Sequence, residues 1–498
     1  MTHRLPLHLL LFLAALLLPL AAPAQTPLAQ EDEDFLRFVD AAAELYYELQ
    51  SSYVEDIDRR EVLESALEGM IRPLDEHSQY MTPDILDQLN RDTSGTFSGI
   101  GIHISMRQGL PTVIAPIPGT PAAKAGLLPW DRIIEIDGES AEELDLLTVV
   151  DKITGPEGTL VELTVFRSGE TEPLLFTIER GRIEIESVYH QMLDDSVGHI
   201  RIARFSENTA AHFAAAFDDL KAKGAKALVI DVRFNTGGLL REAIDLTDLF
   251  VPKGQIIVST KGRNGRQNRE YLADHDATIT MPMAVLVNEG TASASEILAG
   301  ALQDHGLATI IGPEGKNTFG KGSVQTVMTL DNPIEVTEAG NPRNSALRLT
   351  TAKYYTPSGR TIHHLGISPD LYVRIPDGHL RNLLQRGLLG DPSVTSSPDE
   401  ETEPFFDLEL EAARRHLRDE LGVETPALDD DITLVVTTRE EFEKKRDELL
   451  VKLTEAEALL ESVAPDCPDY PEARAMRTEA RWLRRALEPE KQENGEEE

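Results

Sequence analysis

A single cysteine stands among 498 residues, which excludes an internal disulfide framework and any cysteine-built metal cluster. That residue, Cys467, falls between Pro465 and Pro468 in an expected loop, a poor setting for a reactive thiol. Aromatic residues make up only 5%, and basic residues are outnumbered 48 to 86, for a formal charge of −38. Such an acidic surface repels phosphate backbones and argues against a nucleic-acid partner. Long apolar runs are missing too, with one exception. Leu9 to Leu20 follows a basic start (His3, Arg4) and precedes Ala22-Pro23-Ala24. The run is short for a membrane anchor and ends in small residues. It is read as a signal peptide (residues 1–24) cleaved after Ala24, which sends the mature chain to a periplasm.

What is present divides the chain into regions. Within 31–94, Phe35, Phe38, Val39, Ala42, Leu45, Tyr46 and Leu49 recur at helical spacing, and a second helix is expected over Arg59 to Ile71. "PLDEHSQYMTP" follows, where His77 reads as a surface or capping residue because no second ligand accompanies it. Residues 95–183 change to alternating strands and glycine turns, a unit of ordinary domain size. From 184 to 376 strands alternate with helices: "GHIRIARF", "ALVIDV", "AVLVN", a helix from Ala294 to Asp304, then "LATIIG". Alternation of this kind implies a parallel sheet with crossover helices. Residues 377–404 read as an acidic linker. Residues 405–498 read as helical, with a capping box at Thr438 to Glu441, two apolar stripes (Leu449, Leu453, Ala456, Leu460 and Met476, Ala480, Leu483, Leu487) and a disordered tail.

In "VNEGTASASEILAGALQD" two serines, Ser293 and Ser295, stand where a strand turns into a helix. All carboxyl ends of a parallel sheet lie along one edge, so "DVRFNTGG", this turn and "TFGKG" converge there. No histidine is available as a base. His305 lies at the far end of the helix, about 18 Å off at about 1.5 Å per residue. A lysine, Lys321, remains. It serves as a base only when neutral, which means disfavouring its ammonium by roughly 4–5 kcal/mol through burial. Thr318-Phe319-Gly320 offers it an aromatic wall without a carboxylate. In an extended segment Ser323 and Gln325 point the same way as Lys321, and Gln325 can bond the amine without charging it. The amide of Ala294 and donors from the Gly237-Gly238 turn are placed to hold an oxyanion.

"GTASASEILAGALQD", "TFGKGSVQ", "DVRFNTGGLL", "LTTAKYYTPSGRTIHHLGISPD" and "PLDEHSQYMTP" together resemble the carboxyl-terminal processing proteases, over roughly residues 35 to 376 and in that family's order. The resemblance implies an α/β and α+β multidomain chain, with a crotonase- or ClpP-like βαβ protease core, an inserted PDZ domain and flanking helical regions. It implies a Ser-Lys dyad: Ser293 the nucleophile, Lys321 the general base, Gln325 its orienting partner, and Ser295 structural. No cofactor or metal is implied. Residues 95–183 resemble the PDZ domain, with Ser98, Gly99, Ile100, Gly101 and Ile102 holding a substrate's terminal carboxylate while its tail adds as a strand beside Ile102 to Ile104. In relatives the terminal helices assemble copies or hold an activating adaptor; here they are read equally well as closing a hairpin. Two other functions are weighed. A catalytically silent PDZ scaffold would bind tails without cleaving them. An acyl-CoA enzyme of the crotonase type would leave the export signal and the inserted domain unexplained.

Overall fold

The computed structural model describes residues 30–142, 144–331, 335–336, 342–376, 406–429, 432–463, 480 and 484. The signal peptide, the linker at 377–404, Cys467, most of the last stripe and the tail lie outside the described residues. The chain divides into two compact units, the first ending at Leu74. The first unit holds α1 (Gln30–Ser52) and α2 (Arg59–Ile71). Asp58 caps α2 by accepting from the Arg60 and Glu61 amides at 2.8 and 3.2 Å, and the helix has the bounds expected for it. On α1 the expected apolar stripe is exposed, with Phe35 at 60% and Leu45 at 61%.

In the second unit, β1 (Gln79–Met81) and α3 (Pro83–Ser94) lead into the inserted domain. Its elements are β2 (Thr96–Gly99), β3 (Ile102–Arg107), β4 (Leu110–Pro116), α4 (Pro121–Ala125), β5 (Arg132–Ile136), β6 (Glu139–Ser140), α5 (Leu146–Ile153), β7 (Leu160–Phe166), β8 (Leu174–Glu179) and β9 (Gly181–Glu184). In "GTFSGIGIHISM", expected as a strand after a glycine-rich turn, two strands flank Ile100 and Gly101, and Gly101 takes a φ of 79° that is glycine's territory. β2 pairs with β9 as a ribbon through which the chain enters and leaves the domain. The remaining strands form a sheet in the order β3-β4-β5-β7-β8, with β6 beside β5 and β3 at an open edge. Ile100, Val149, Ile153 and Leu163 lie in its buried core, with Ile102 and Ile104 packed against it.

The larger sheet runs β10 (Val188–Met192), β11 (Val197–Ile202), β12 (Ala227–Asp231), β15 (Met283–Leu286), β16 (Thr309–Pro313), β21 (Leu371–Val373), β22 (Val436–Thr438). The five strands from β11 to β21 are parallel, as the alternation predicted; the two edges are antiparallel. Buried on both faces, β12 sends alternate side chains to two cores. Leu228 and Ile230 meet α6 (Thr209–Ala222), α7 (Leu240–Thr247) and α8 (Ala294–Asp304), while Ala227 and Val229 meet Ala412, Ala413 and Leu417 of α9 (Leu408–Glu420). The region beyond the linker therefore does more than form a helical end. Its first helix closes the second face of the sheet, and β22 extends the edge.

A second sheet follows the order β1-β20-β13-β14, with β17 also on β20. Its strands are β13 (Ile256–Gly262), β14 (Arg269–Leu272), β17 (Ser323–Thr329) and β20 (Ala346–Tyr355); β18 (Glu335–Val336) and β19 (Pro342–Arg343) form a separate ribbon. The capping box expected at Thr438 starts α10 (Arg439–Val463): Glu441 N donates to Thr438 Oγ1 at 3.3 Å and Thr438 N to Glu441 Oε2 at 3.1 Å. Leu449 on its stripe is 49% exposed. No helix among the described residues is long and apolar enough to cross a membrane.

Candidate active site

Ser293 ends the turn after β15 and takes φ 56°, ψ −114°, a conformation non-glycine residues rarely hold. Such strain costs on the order of 1–3 kcal/mol and persists only where the surroundings enforce it. A sharp strand-to-helix turn of this kind exposes a nucleophile at the top of a sheet. Ser295, the alternative serine, is fully buried and donates its hydroxyl to Asn235 O at 3.0 Å. The structure separates the two by that bond: Ser295 holds the turn, and Ser293 faces outward, partly exposed.

The loop bearing Lys321 is tied to this turn through a residue that the sequence reading overlooked. Glu296, in the first turn of α8, is fully buried. Its Oε1 accepts from Thr318 Oγ1 at 2.5 Å and Gly320 N at 2.8 Å. Its Oε2 accepts from Ser293 N at 2.8 Å and Lys321 N at 2.9 Å. Two amides that share one oxygen lie no further apart than those two bonds combined, 5.7 Å. Phe319 N adds a bond to Thr291 O at 2.9 Å. The Tyr354 hydroxyl, from β20, sits between Ser293 O (3.1 Å) and Lys321 O, which share its single hydrogen. The only sequence signal for Glu296 was its place three residues after Ser293, the spacing of a capping box.

Three expectations about the base change. A carboxylate does stand beside it, contrary to the reading of Thr318-Phe319-Gly320. Phe319 is 57% exposed and does not wall the amine off. Gln325 donates its Nε2 to Ser323 Oγ (2.9 Å) and Thr350 Oγ1 (3.2 Å) and makes no bond to Lys321, which precedes β17 in a turn where Gly322 N donates to Gly320 O at 3.2 Å. Burial lowers the Lys321 pKa below the ordinary lysine value and Arg348 adds to this, against the opposing pull of Glu296. Burial raises the Glu296 carboxyl in turn, opposed by its four hydrogen bonds. Both shifts favour a less charged pair. His77, read as peripheral, lies within electrostatic reach of Lys321; burial lowers its pKa and the lysine adds to that. His305 sits at the other end of α8, its Nε2 2.7 Å from Ile256 O.

The "RFNTGG" turn packs against Ser293. A methyl group on Gly237 would lie 2.8 Å from Ser293 Cβ and 2.9 Å from Ala294 N, so only glycine fits. The Gly237 amide, expected as an oxyanion donor, is taken by Asn235 Oδ1 at 2.9 Å. Among the described residues no acceptor takes the Gly238 or Ala294 amides, and Gly238 is exposed. Beneath the turn, buried Arg233 bonds Asp231 (2.7 Å), Asp407 (2.8 Å) and Glu409 (3.1 Å), fastening α9 to the strand that carries it. Burial pushes Glu409 up to about 7, despite Arg233.

In the inserted domain, Ser98 and Gly99 pair with Arg182 and Gly181, Ile100 is wholly buried, and Gly101 leads to Ile102 on the edge strand β3. The first two residues of the expected carboxylate loop therefore belong to the connecting ribbon.

Residues 196–373 match the model of peptidase family S41, and residues 112–167 match that of the PDZ domain. The carboxy-terminal-processing protease of Bartonella bacilliformis is 38% identical over 429 residues, covering 82% of this chain and 94% of that protein. The carboxy-terminal processing protease CtpA of Bacillus subtilis is 36% identical, with 68% of this chain and 69% of that protein covered. Among solved structures, the photosystem II D1 C-terminal processing protease matches at 30% identity over 69% of this chain and 93% of that one, with a TM-score of 0.38.

Proposed function

From the premise that this chain belongs to peptidase family S41, as a serine-type carboxy-terminal processing protease carrying a PDZ domain, we propose that it cleaves exported proteins near their C-termini through an acyl-enzyme on Ser293. Neutral Lys321 takes the proton of the Ser293 hydroxyl as Oγ attacks the scissile carbonyl. The resulting ammonium returns that proton to the departing amine. Water, deprotonated by the same lysine, then releases the acyl group. The Ala294 and Gly238 amides stabilise the oxyanion, since neither is spent elsewhere among the described residues.

The observation that carries this reading is the shared Glu296 oxygen that holds the Ser293 and Lys321 amides together. PDZ domains take peptide C-termini, and β3 is an edge strand among the described residues, beside which a substrate tail can add as a further strand. The signal-like first 24 residues support a periplasmic address. The exposed apolar residues of α1 support a surface for a second copy or an adaptor. The test compares wild-type, Ser293→Ala and Lys321→Ala protein on an unfolded polypeptide with an apolar C-terminus, with fractionation and N-terminal sequencing of the expressed chain. Equal cleavage by all three would remove the dyad. A mature chain that retains residues before Ala24 would remove the proposed processing.

A further inference from the structure

We propose that the exposed cations of β13, β14 and β20 form a substrate-binding strip beside the active site, which takes an acidic stretch of the polypeptide being cleaved. The inference rests on the dyad reading above and adds a substrate class to it.

The strip runs against the character of the chain. Acidic residues outnumber basic ones 86 to 48 overall, yet between Leu249 and Ala273 the only carboxylate is Glu270, against Lys253, Lys261, Arg263, Arg266 and Arg269. Lys353 joins them in space, because it stands directly opposite Lys261 in the antiparallel pair of β13 with β20. Lys261, Arg263, Arg266, Arg269 and Lys353 are all exposed, and none of them pairs with a carboxylate among the described residues. Like charges directly opposite on neighbouring strands destabilise a sheet. Folding gains nothing from the two lysines, whereas a bound anion relieves their repulsion. The strip is also well held. Lys261 Nζ lies 4.5 Å from the centre of the Tyr355 ring, a cation–π contact that fixes where the ammonium sits. In the hairpin that carries the arginines, Thr260 Oγ1 donates to Gln267 O at 2.7 Å and Gly262 N to Asn268 Oδ1 at 3.0 Å.

The strip begins at the base. Ser323, two residues after Lys321, is opposite Lys353 on the other side of β20, so a single row crosses three strands: Ser323, Lys353, Lys261. At about 4.8 Å per strand, Lys353 and Lys261 follow Ser323 at about 5 and 10 Å, with the Arg263 to Arg266 turn beyond. Tyr354, the neighbour of Lys353, is the residue whose hydroxyl holds the Ser293 and Lys321 carbonyls. Lys353 is also felt at the lysine loop. His363, whose backbone nitrogen would lie 2.7 Å from a methyl group on Gly322, has its pKa lowered by burial, with His364 and Lys353 adding to that. An extended chain advances about 3.4 Å per residue, so a substrate following the row meets these cations about three to six residues from the bond being cut. An anionic lipid surface would meet the same charges, but the row starts two residues from the base, where the chain under cleavage must lie.

The experiment uses the full mature chain and internally quenched peptides that share one apolar C-terminus. They carry glutamate, glutamine or lysine at about three to six residues on either side of a common cleaved bond, located by mass spectrometry. At low ionic strength kcat/KM for the glutamate peptide is expected to be roughly tenfold above that for the glutamine peptide, through KM, with the lysine peptide lowest. The difference vanishes at about 1 M salt, where charges are screened beyond about 3 Å. Lys261→Glu/Lys353→Glu is expected to reverse the order of the glutamate and lysine peptides, which a merely structural change would not do. Lys221→Glu/Lys226→Glu, the same change of charge ahead of the amino end of β12, keeps the wild-type order. Where turnover is slow, fluorescence anisotropy of the same peptides on Ser293→Ala protein reads the preference as binding. Equal kcat/KM and equal binding for the three peptides would overturn the inference, as would a glutamate preference that survives Lys261→Glu/Lys353→Glu. Binding to phosphatidylglycerol vesicles that the double variant loses, without any preference among peptides, would overturn it in favour of a membrane contact. If Ser293→Ala cleaves the glutamate peptide normally, the dyad reading fails; if it is inactive while the wild type treats the peptides alike, only the present inference does.

Discussion

Replacing Glu296 with glutamine keeps the volume of the side chain but turns one of its two oxygens into a donor. Each oxygen holds two donors, so whichever way the amide lies, two buried donors lose their acceptor. If Nε2 takes the Oε2 position, the Ser293 and Lys321 amides face an NH2 group and the turn and loop move apart. If it takes the Oε1 position, Thr318 and Gly320 are released and the Lys321 loop loosens from its other side. At about 1–3 kcal/mol per unsatisfied buried group, the loss is roughly 2–6 kcal/mol. Displacement by about 1 Å of a catalytic group lowers the rate on the order of a hundredfold. The lost charge has its own signature. Glu296 raises the Lys321 pKa, so its removal moves the acid limb of kcat/KM to lower pH even as kcat falls. The assays are peptide hydrolysis across pH and thermal unfolding of the same samples. A Glu296→Gln protein with wild-type kcat and melting temperature would refute the account of the clamp.

Two further variants probe residues outside the reacting atoms. Ser295→Ala removes the 3.0 Å bond to Asn235 O, which keeps the Ala292 amide at 2.9 Å, so it should destabilise the fold by about 0.5–1.5 kcal/mol while retaining acyl-enzyme formation, unlike Ser293→Ala; chemical denaturation and peptide hydrolysis together read this. Glu409 is raised in the folded protein to about 7, so its contribution to stability is fully present below the ordinary carboxyl pKa and is lost as pH rises through about 7. Glu409→Gln should therefore match wild type at pH 5 and exceed it at pH 8, by up to about 3 kcal/mol, in urea unfolding at the two pH values; a variant less stable at pH 8 would contradict this.

Elements with local signals were legible in the sequence. The helix expected over Arg59 to Ile71 is α2, Thr438 and Glu441 announced the start of α10, and the apolar period marked the helix Ala294 to Asp304. The parallel sheet followed from strand–helix alternation. Pairings between distant segments were not legible: nothing in "SQYM" says that Gln79 to Met81 will join the far end of β20. At the site, the converging segments were read from topology, but the contacts that fasten them were not. Glu296 was visible as a helix-start carboxylate, yet nothing local indicated that Thr318, Gly320 and Lys321 would return their donors to it. The alternation that aimed Gln325 at Lys321 failed because β17 begins only at Ser323, after a turn from Gly320 to Gly322 that leaves Lys321 outside the strand. Arg233 likewise looked like part of a turn. Its partners, Asp407 and Glu409, come from beyond a linker where sequence distance carries no information.

The most direct measurement is intact-mass spectrometry of enzyme quenched during turnover of a peptide thioester, with the modified residue mapped. An acyl adduct on the peptide containing Ser293, lost in Ser293→Ala and formed far more slowly in Lys321→Ala, is the predicted result. Acylation at another residue, or at an undiminished rate without the lysine amine, would contradict the account.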